Sequence, residues 1–154
     1  MLRTRRSRRS RRGAALIEFM LLLPFWATAL FGALEFGQIF QERLELTNAA
    51  REGIRRIAAG DPTTTAVAAI RNTGPQLGIL ANQVAIEYST DGTTWSAVAN
   101  NGNNTQNSAP RDSLCRVTIT DWPHRMVTGA FFRWLPGVSG GVLLVHAQEV
   151  MVRQ

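Results

Sequence analysis

Residues able to do chemistry are few in this chain and widely spaced. His124 and His146 are its two histidines, and neither stands at metal-ligand spacing from another strong ligand. Glu149 follows His146 by three positions, but one such pair without partners makes no site, so surface or internally hydrogen-bonded histidines are expected. Cys115 is the one cysteine, which excludes an internal disulfide. A buried, inert thiol is the expectation there, with an intermolecular disulfide as its alternative. There is no G-x-S-x-G, no C-x-x-C and no phosphate-binding glycine loop. Residues 137–141 hold three glycines without the lysine or helix start such a loop needs. No catalytic residue, metal site, cofactor or small-molecule substrate is expected, and the chain does not read as an enzyme.

One acid stands where an acid is costly. Glu18 lies five residues after Gly13 inside an apolar run, and no further charge occurs before Glu35. An ionised carboxylate deep in hydrocarbon costs on the order of 2.5–3.5 kcal/mol on insertion scales, which makes Glu18 a functional candidate. A cut after Gly13 would create an ammonium on Ala14, one helical turn from that carboxylate. The two charges would then pair, within one chain or between neighbours, and offset much of the cost. Pro24 is the second candidate. It removes the hydrogen bond to the Met20 carbonyl and is expected to kink or loosen a helix there, which membrane helices tolerate.

The element that must position these residues is the stretch from Gly13 to about Phe40. Residues 19–34 rise roughly 24 Å as a helix, and their apolar flanks lengthen the run past about 30 Å, enough to cross a bilayer. Residues 1–12 in front of it carry seven of the seventeen basic residues, every one an arginine. A basic block before an apolar span holds the N-terminus on the cytoplasmic side and sends the rest of the chain across. The formal net charge of +6 is therefore a property of this leader: beyond it ten arginines face eleven acids. Arginine-rich arms also bind RNA, but the apolar span directly behind this one marks it as a topology signal, and no nucleic-acid partner is expected. Ser10-Arg11-Arg12 lacks the bulky apolar residues that should follow a twin-arginine signal. The apolar run also continues well past Ala27-Thr28-Ala29, which argues against ordinary signal cleavage there.

The order of these features resembles a known family. A basic leader, Gly13, then A-A-L-I-E-F with Glu18 fifth after the glycine, is similar to a class III leader cut by a prepilin peptidase. The continuation L-L-L-P-F, then G-A-L-E-F-G-Q-I-F, then L-T-N-A-A-R-E-G-I-R, resembles TadE-like pseudopilins of the tight-adherence (Flp) pilus systems, over residues 11–56. The resemblance implies cleavage between Gly13 and Ala14, where a side chain at the cleaved carbonyl would obstruct the peptidase. It implies that Glu18 guides register by meeting an N-terminal ammonium. The implied partners are the prepilin peptidase, other pilins or pseudopilins with the pilus assembly machinery, and the lipid bilayer of the bacterial cytoplasmic membrane. The implied role is that of a minor component assisting assembly, since main filament subunits have little beyond the helix.

Beyond the span the helix is expected to continue to about Ala59 as an amphipathic rod. Phe36, Phe40 and Leu44, then Ala50, Ile54 and Ile57 or Ala58, form its apolar stripe. Gly60 reads as a helix stop, Asp61 as an N-cap and Pro62 as the first position of a short helix over 63–72. The distal half changes to period two. Residues 83–89 predict a strand, Asp91-Gly92 a tight turn, and 95–99 a returning strand. Residues 100–111 read as an exposed loop, 114–121 as a strand and 142–152 as the last strand. Between these last two, 124–135 suits a helix or an apolar connection. Trp122, Phe131, Phe132 and Trp134 cluster around Pro123 as core or membrane-proximal packing.

The expected fold class is α+β: a long N-terminal helix, membrane-spanning in its first half, packed on a small, mainly antiparallel sheet. The expected division is a leader (1–13), a transmembrane helix (14–40), its extracytoplasmic extension (41–60) and a small extracytoplasmic domain (61–154). The rival to a processed pilin-type protein is an uncleaved signal-anchor protein whose outer domain binds a ligand or another protein. A cytoplasmic RNA binder is a third reading.

Overall fold

A computed structural model describes residues 9–129 and 136–154, with side chains described from residue 13 onward. One helix dominates it. Helix α1 runs Arg9–Ala58, 50 residues, or about 75 Å at 1.5 Å per residue. It begins inside the arginine block, four residues before Gly13. Arginine is a good helix former, and Gly13 alone, at about 1 kcal/mol, does not break the run. The helix carries on through Pro24, whose carbonyl accepts a hydrogen bond from Thr28 Oγ1 at 2.8 Å.

The far end of α1 closes as the sequence proposed. Gly60 takes φ +92°, its N–H bonds the Ile57 carbonyl at 3.0 Å, and the Asp61 N–H reaches back to Arg56 at 3.0 Å. That pair of bonds is a Schellman stop, which needs a residue free to adopt a left-handed conformation. Helix α2 follows at Thr63–Thr73, with Pro62 rather than Asp61 at the capping position. The expected Asp61 cap is replaced by a distant one: Asn100 Oδ1 accepts the Thr63 N–H at 2.7 Å and its hydroxyl at 2.9 Å. Two short 3-10 turns, Pro75–Leu77 and Ala81–Gln83, lead into the sheet.

The sheet comprises β1 (Val84–Ser89), β2 (Ser96–Ala97), β3 (Leu114–Arg125), β4 (Val138–Ser139) and β5 (Val142–Val152). Its spatial order is β2-β1-β3-β5-β4, with antiparallel pairing throughout. The β1–β2 turn is set by Asp91, whose carboxylate accepts the Thr93 and Thr94 N–H groups at 2.9 and 2.8 Å. These bonds, the Thr94 one foremost, hold that carboxyl well below its usual range. Strand β3 runs past the expected end at Asp121 to Arg125 after a register shift between Ile119 and Trp122, where Asp121 takes φ +55°. The continuation puts His124 in a strand, so the helix considered over 124–135 does not start there; Phe131, Phe132 and Trp134 lie outside the described residues.

The core lies between the two helices and one face of the sheet. Leu46, Ala49, Ala50, Ile54 and Ile57 of α1 and Ala66 and Ile70 of α2 meet Cys115, Val117 and Ile119 of β3 and Val145 and Ala147 of β5. The helices touch closely at Gly53, where an added Cβ would stand 2.5 Å from Ile70 Cδ1. The loop over 100–111 is not wholly exposed. Asn107 and Ala109 are buried, and Asn107 Nδ2 donates to the Ile57 and Asp61 carbonyls, each at 2.9 Å. The loop thus plugs the end of α1, adding a second donor to the Ile57 carbonyl and reaching the Asp61 carbonyl just beyond the helix.

Candidate functional site

Ala50, Ile54, Ile57 and Ala58 are buried as the sequence suggested, but the earlier part of the α1 core stripe is rotated from the expected one. Phe36, Phe40 and Leu44 are exposed. The face turned to the domain instead carries Glu35, Ile39, Glu42, Leu46, Ala49 and Ala50. Two of these six are acids, and their spacing of seven places both on one side of the helix.

Glu35 is buried to 3% exposure and His124, on β3, to 2%. The Glu35 carboxylate accepts the Val127 N–H at 2.9 Å, the Thr128 N–H at 3.1 Å and the Thr128 hydroxyl at 2.8 Å. His124 Nε2 lies 3.2 Å from Glu35 Oε1, and its Nδ1 contacts Glu42 Oε2. Only a ring protonated on both nitrogens donates to both carboxylates at once. The two carboxylates occupy different edges of the ring and do not converge on a point. Consistent with that, no metal-binding group of three such side chains occurs among the described residues. The arrangement is a clamp: it ties the end of β3 and the turn over 126–129 to α1 where the apolar run ends. A charge-assisted network closed by backbone donors fixes orientation more tightly than apolar contact alone.

Further along α1 the polar contacts sit at the surface. Arg51 Nε pairs with Glu149 at 3.0 Å, and Glu52 takes Arg55 and Arg56 at 2.8 and 3.0 Å. The hydrogen bond from Arg55 leads in holding the Glu52 carboxyl below its usual range. These three arginines border an open groove between α1 and α2, floored by Ala68 and Ala69. Each already faces an acid, so the groove presents no free cation.

The sequence-selected residues fall as follows. Gly13, Ala14 and Glu18 all lie exposed on α1, and Gly13 has open space where a side chain would project. Pro24 sits within the same helix. The structure therefore brings none of these residues to the clamp. His124 is a satisfied internal histidine, whereas His146 is exposed and accepts the Asp121 N–H at 3.4 Å. Glu149 is taken by Arg51 rather than by His146. Cys115 is fully buried, and burial pushes its thiol upward, away from the reactive thiolate. Trp122 is a core residue, its indole donating to the Leu77 carbonyl at 2.7 Å. Sequence reasoning missed the clamp. The one available signal was a pair of acids seven apart on a helix, in line with Ala49 and its buried neighbours.

From Gly13 to Ala58 the helix is long and apolar enough to cross a membrane. Its most apolar 18-residue window has a mean hydropathy of 1.9, with none of that window buried against the rest of the chain. Leu21, Phe25 and Trp26 are among the large apolar side chains left uncovered. No curated protein and no solved structure matches the chain. A family model does: that of TadE-like protein matches residues 13–55. From the glycine that ends the arginine block to Arg55, less than a third of its length, the chain is similar to TadE-like protein.

Proposed function

We propose that this protein is a minor, pseudopilin-like membrane component that assists assembly of a Flp/Tad-type pilus. In this reading it is inserted with its arginines in the cytoplasm and its sheet outside the cytoplasmic membrane. A prepilin peptidase cuts it after Gly13, and α1 then holds it laterally among other pilins or pseudopilins and the assembly machinery. Its work is structural, with no reaction of its own. One observation carries the reading: the TadE-like match opens at Gly13, where the basic block stops, and runs along the uncovered apolar helix. Cutting there would leave Ala14 as an ammonium one turn from Glu18, and the pair would lower the cost of an acid in lipid.

Two variants test it. Gly13→Arg is expected to give a membrane-bound precursor of unchanged size, and a normal processing shift on a gel would count against the reading. Glu18→Ala is expected to insert normally but to impair pilus formation. Wild-type pilus numbers from that variant would remove Glu18 from the mechanism.

A second reading has one observation in its favour. Much of the core comes from residues beyond the TadE-like match, among them Ile57, Ile70, Val117, Ile119 and Val145. A domain with that much of its own interior suits an uncleaved signal-anchor protein that binds a ligand or another envelope protein. That protein would keep its arginines.

A further inference from the structure

The clamp fixes the height of the folded domain relative to the apolar span. Residues 14–34 are 21 positions ending at Leu34, with Glu18 the one charged side chain among them. As a helix they rise about 31 Å, matching a hydrocarbon core of about 30 Å. Glu35 then stands at the outer hydrocarbon boundary, and it is Glu35 that receives the Val127 and Thr128 N–H groups. Gly32, one turn earlier on the same face, is the one buried residue between 13 and 34. The helix is thus covered down to the level of the boundary itself.

The turn held there is closed by the Gly129 N–H to the Met126 carbonyl at 3.3 Å and tied to the connection between β4 and β5 by the Met126 N–H to the Gly141 carbonyl at 2.9 Å. Its most prominent side chain is apolar and uncovered, Val127 being 81% exposed. Arg125, at the end of β3, is exposed as well. On the helix, Phe36 and Phe40 are 48% and 68% exposed, at heights of about 1.5 and 8 Å above Glu35. The headgroup layer on each side is about 5–7 Å deep, the zone in which aromatic side chains gather and arginine meets lipid phosphate.

Resting on the reading of α1 as a membrane span, we propose that the turn over 126–129 is a second membrane contact. The domain is seated on the bilayer: Val127 enters the headgroup layer, Arg125 stands at phosphate level, and Phe36 with Phe40 completes the ring of contact. The partner is a lipid surface, continuous with the lipid around α1. The domain's tilt is then fixed by the clamp and the lipid together, and the loop over 100–107, at the far end of α1, projects from the membrane.

The test places a fluorophore at one cysteine at a time in the full chain with Cys115→Ala, reconstituted in vesicles of phosphatidylcholine and phosphatidylglycerol. The vesicles carry a nitroxide either on the headgroup or at mid-chain. A label at Val127→Cys is expected to be quenched severalfold more by the headgroup nitroxide than one at Thr105→Cys, in the distal loop. A label at Phe25→Cys is expected to respond chiefly to the mid-chain nitroxide. If Phe25→Cys responds and Val127→Cys behaves like Thr105→Cys, the seat is overturned while the span stands. If Phe25→Cys does not respond to the mid-chain nitroxide, the span fails and the seat with it.

Discussion

Replacing Glu35 with alanine would strand two backbone N–H groups, a hydroxyl and an imidazole at once. Leaving a buried donor without its acceptor costs about 1–3 kcal/mol, and Glu35→Ala is expected to destabilise the domain by at least that order. Glu35→Gln keeps an acceptor and should cost less. Amide exchange at Val127 and Thr128 in detergent micelles is the measurement; unchanged protection in Glu35→Ala would show that the clamp does not hold the turn. Asp91 gives a pH dependence of known sign. Its carboxyl is depressed in the folded state, so its contribution is complete above the ordinary value of 3.8 and is lost only as pH falls through the lower folded value. The amide shifts of Thr93 and Thr94 should therefore show no midpoint near 3.8, and a midpoint there would refute the capped turn. At this scale the turn was legible, because Asp-Gly announces itself locally. The clamp was not, since Glu35 and His124 stand 89 positions apart and only the fold brings them together.

Among the elements, α1 has two jobs with different chemistry. Up to Leu34 its apolar side chains are uncovered, and beyond Leu46 its apolar stripe belongs to the core. That change explains why the length of the helix, its Gly60 stop and most of the strands were legible, whereas the stripe through Phe36, Phe40 and Leu44 was misplaced. Hydropathy records that a side chain avoids water without saying whether lipid or protein covers it. The plug from Asn107 was hidden for the opposite reason: a run of Asn, Gly and Ser has the composition of an exposed loop whatever its carbonyl partners. Contact between the helices is tested at Gly53. Gly53→Ala would drive a methyl to 2.5 Å from the fully buried Ile70, an overpacking expected to cost about 1–3 kcal/mol. Adding Ile70→Ala removes both clashing atoms, Cδ1 and Cγ1, each 2.5 Å from the added methyl, so in a denaturant titration the double variant should lose less than the two single losses summed. Additive losses in the double variant would mean that the helices do not approach there as described.

Taken whole, the molecule is a rod with a sheet fastened along its distal half and a bare apolar proximal half. The fastening runs from Glu35 at one end to Gln154 at the other, where the Gln154 N–H meets the Ala58 carbonyl at 3.1 Å. A domain clamped over that length cannot swing freely about the point where α1 leaves the apolar run, so lateral contacts made by the helix would set the direction of the sheet. The TadE-like match covers the bare part of α1 and all but the last three residues of its fastened part, which is where a pilin-type role would act. That role turns on one covalent event, and the most direct measurement is the N-terminal residue of the protein isolated from its native membranes with the prepilin peptidase active. The account predicts a chain beginning at Ala14, about thirteen residues shorter than the full sequence. A chain still carrying Met1 and its arginine block would contradict it and leave a tethered domain in its place.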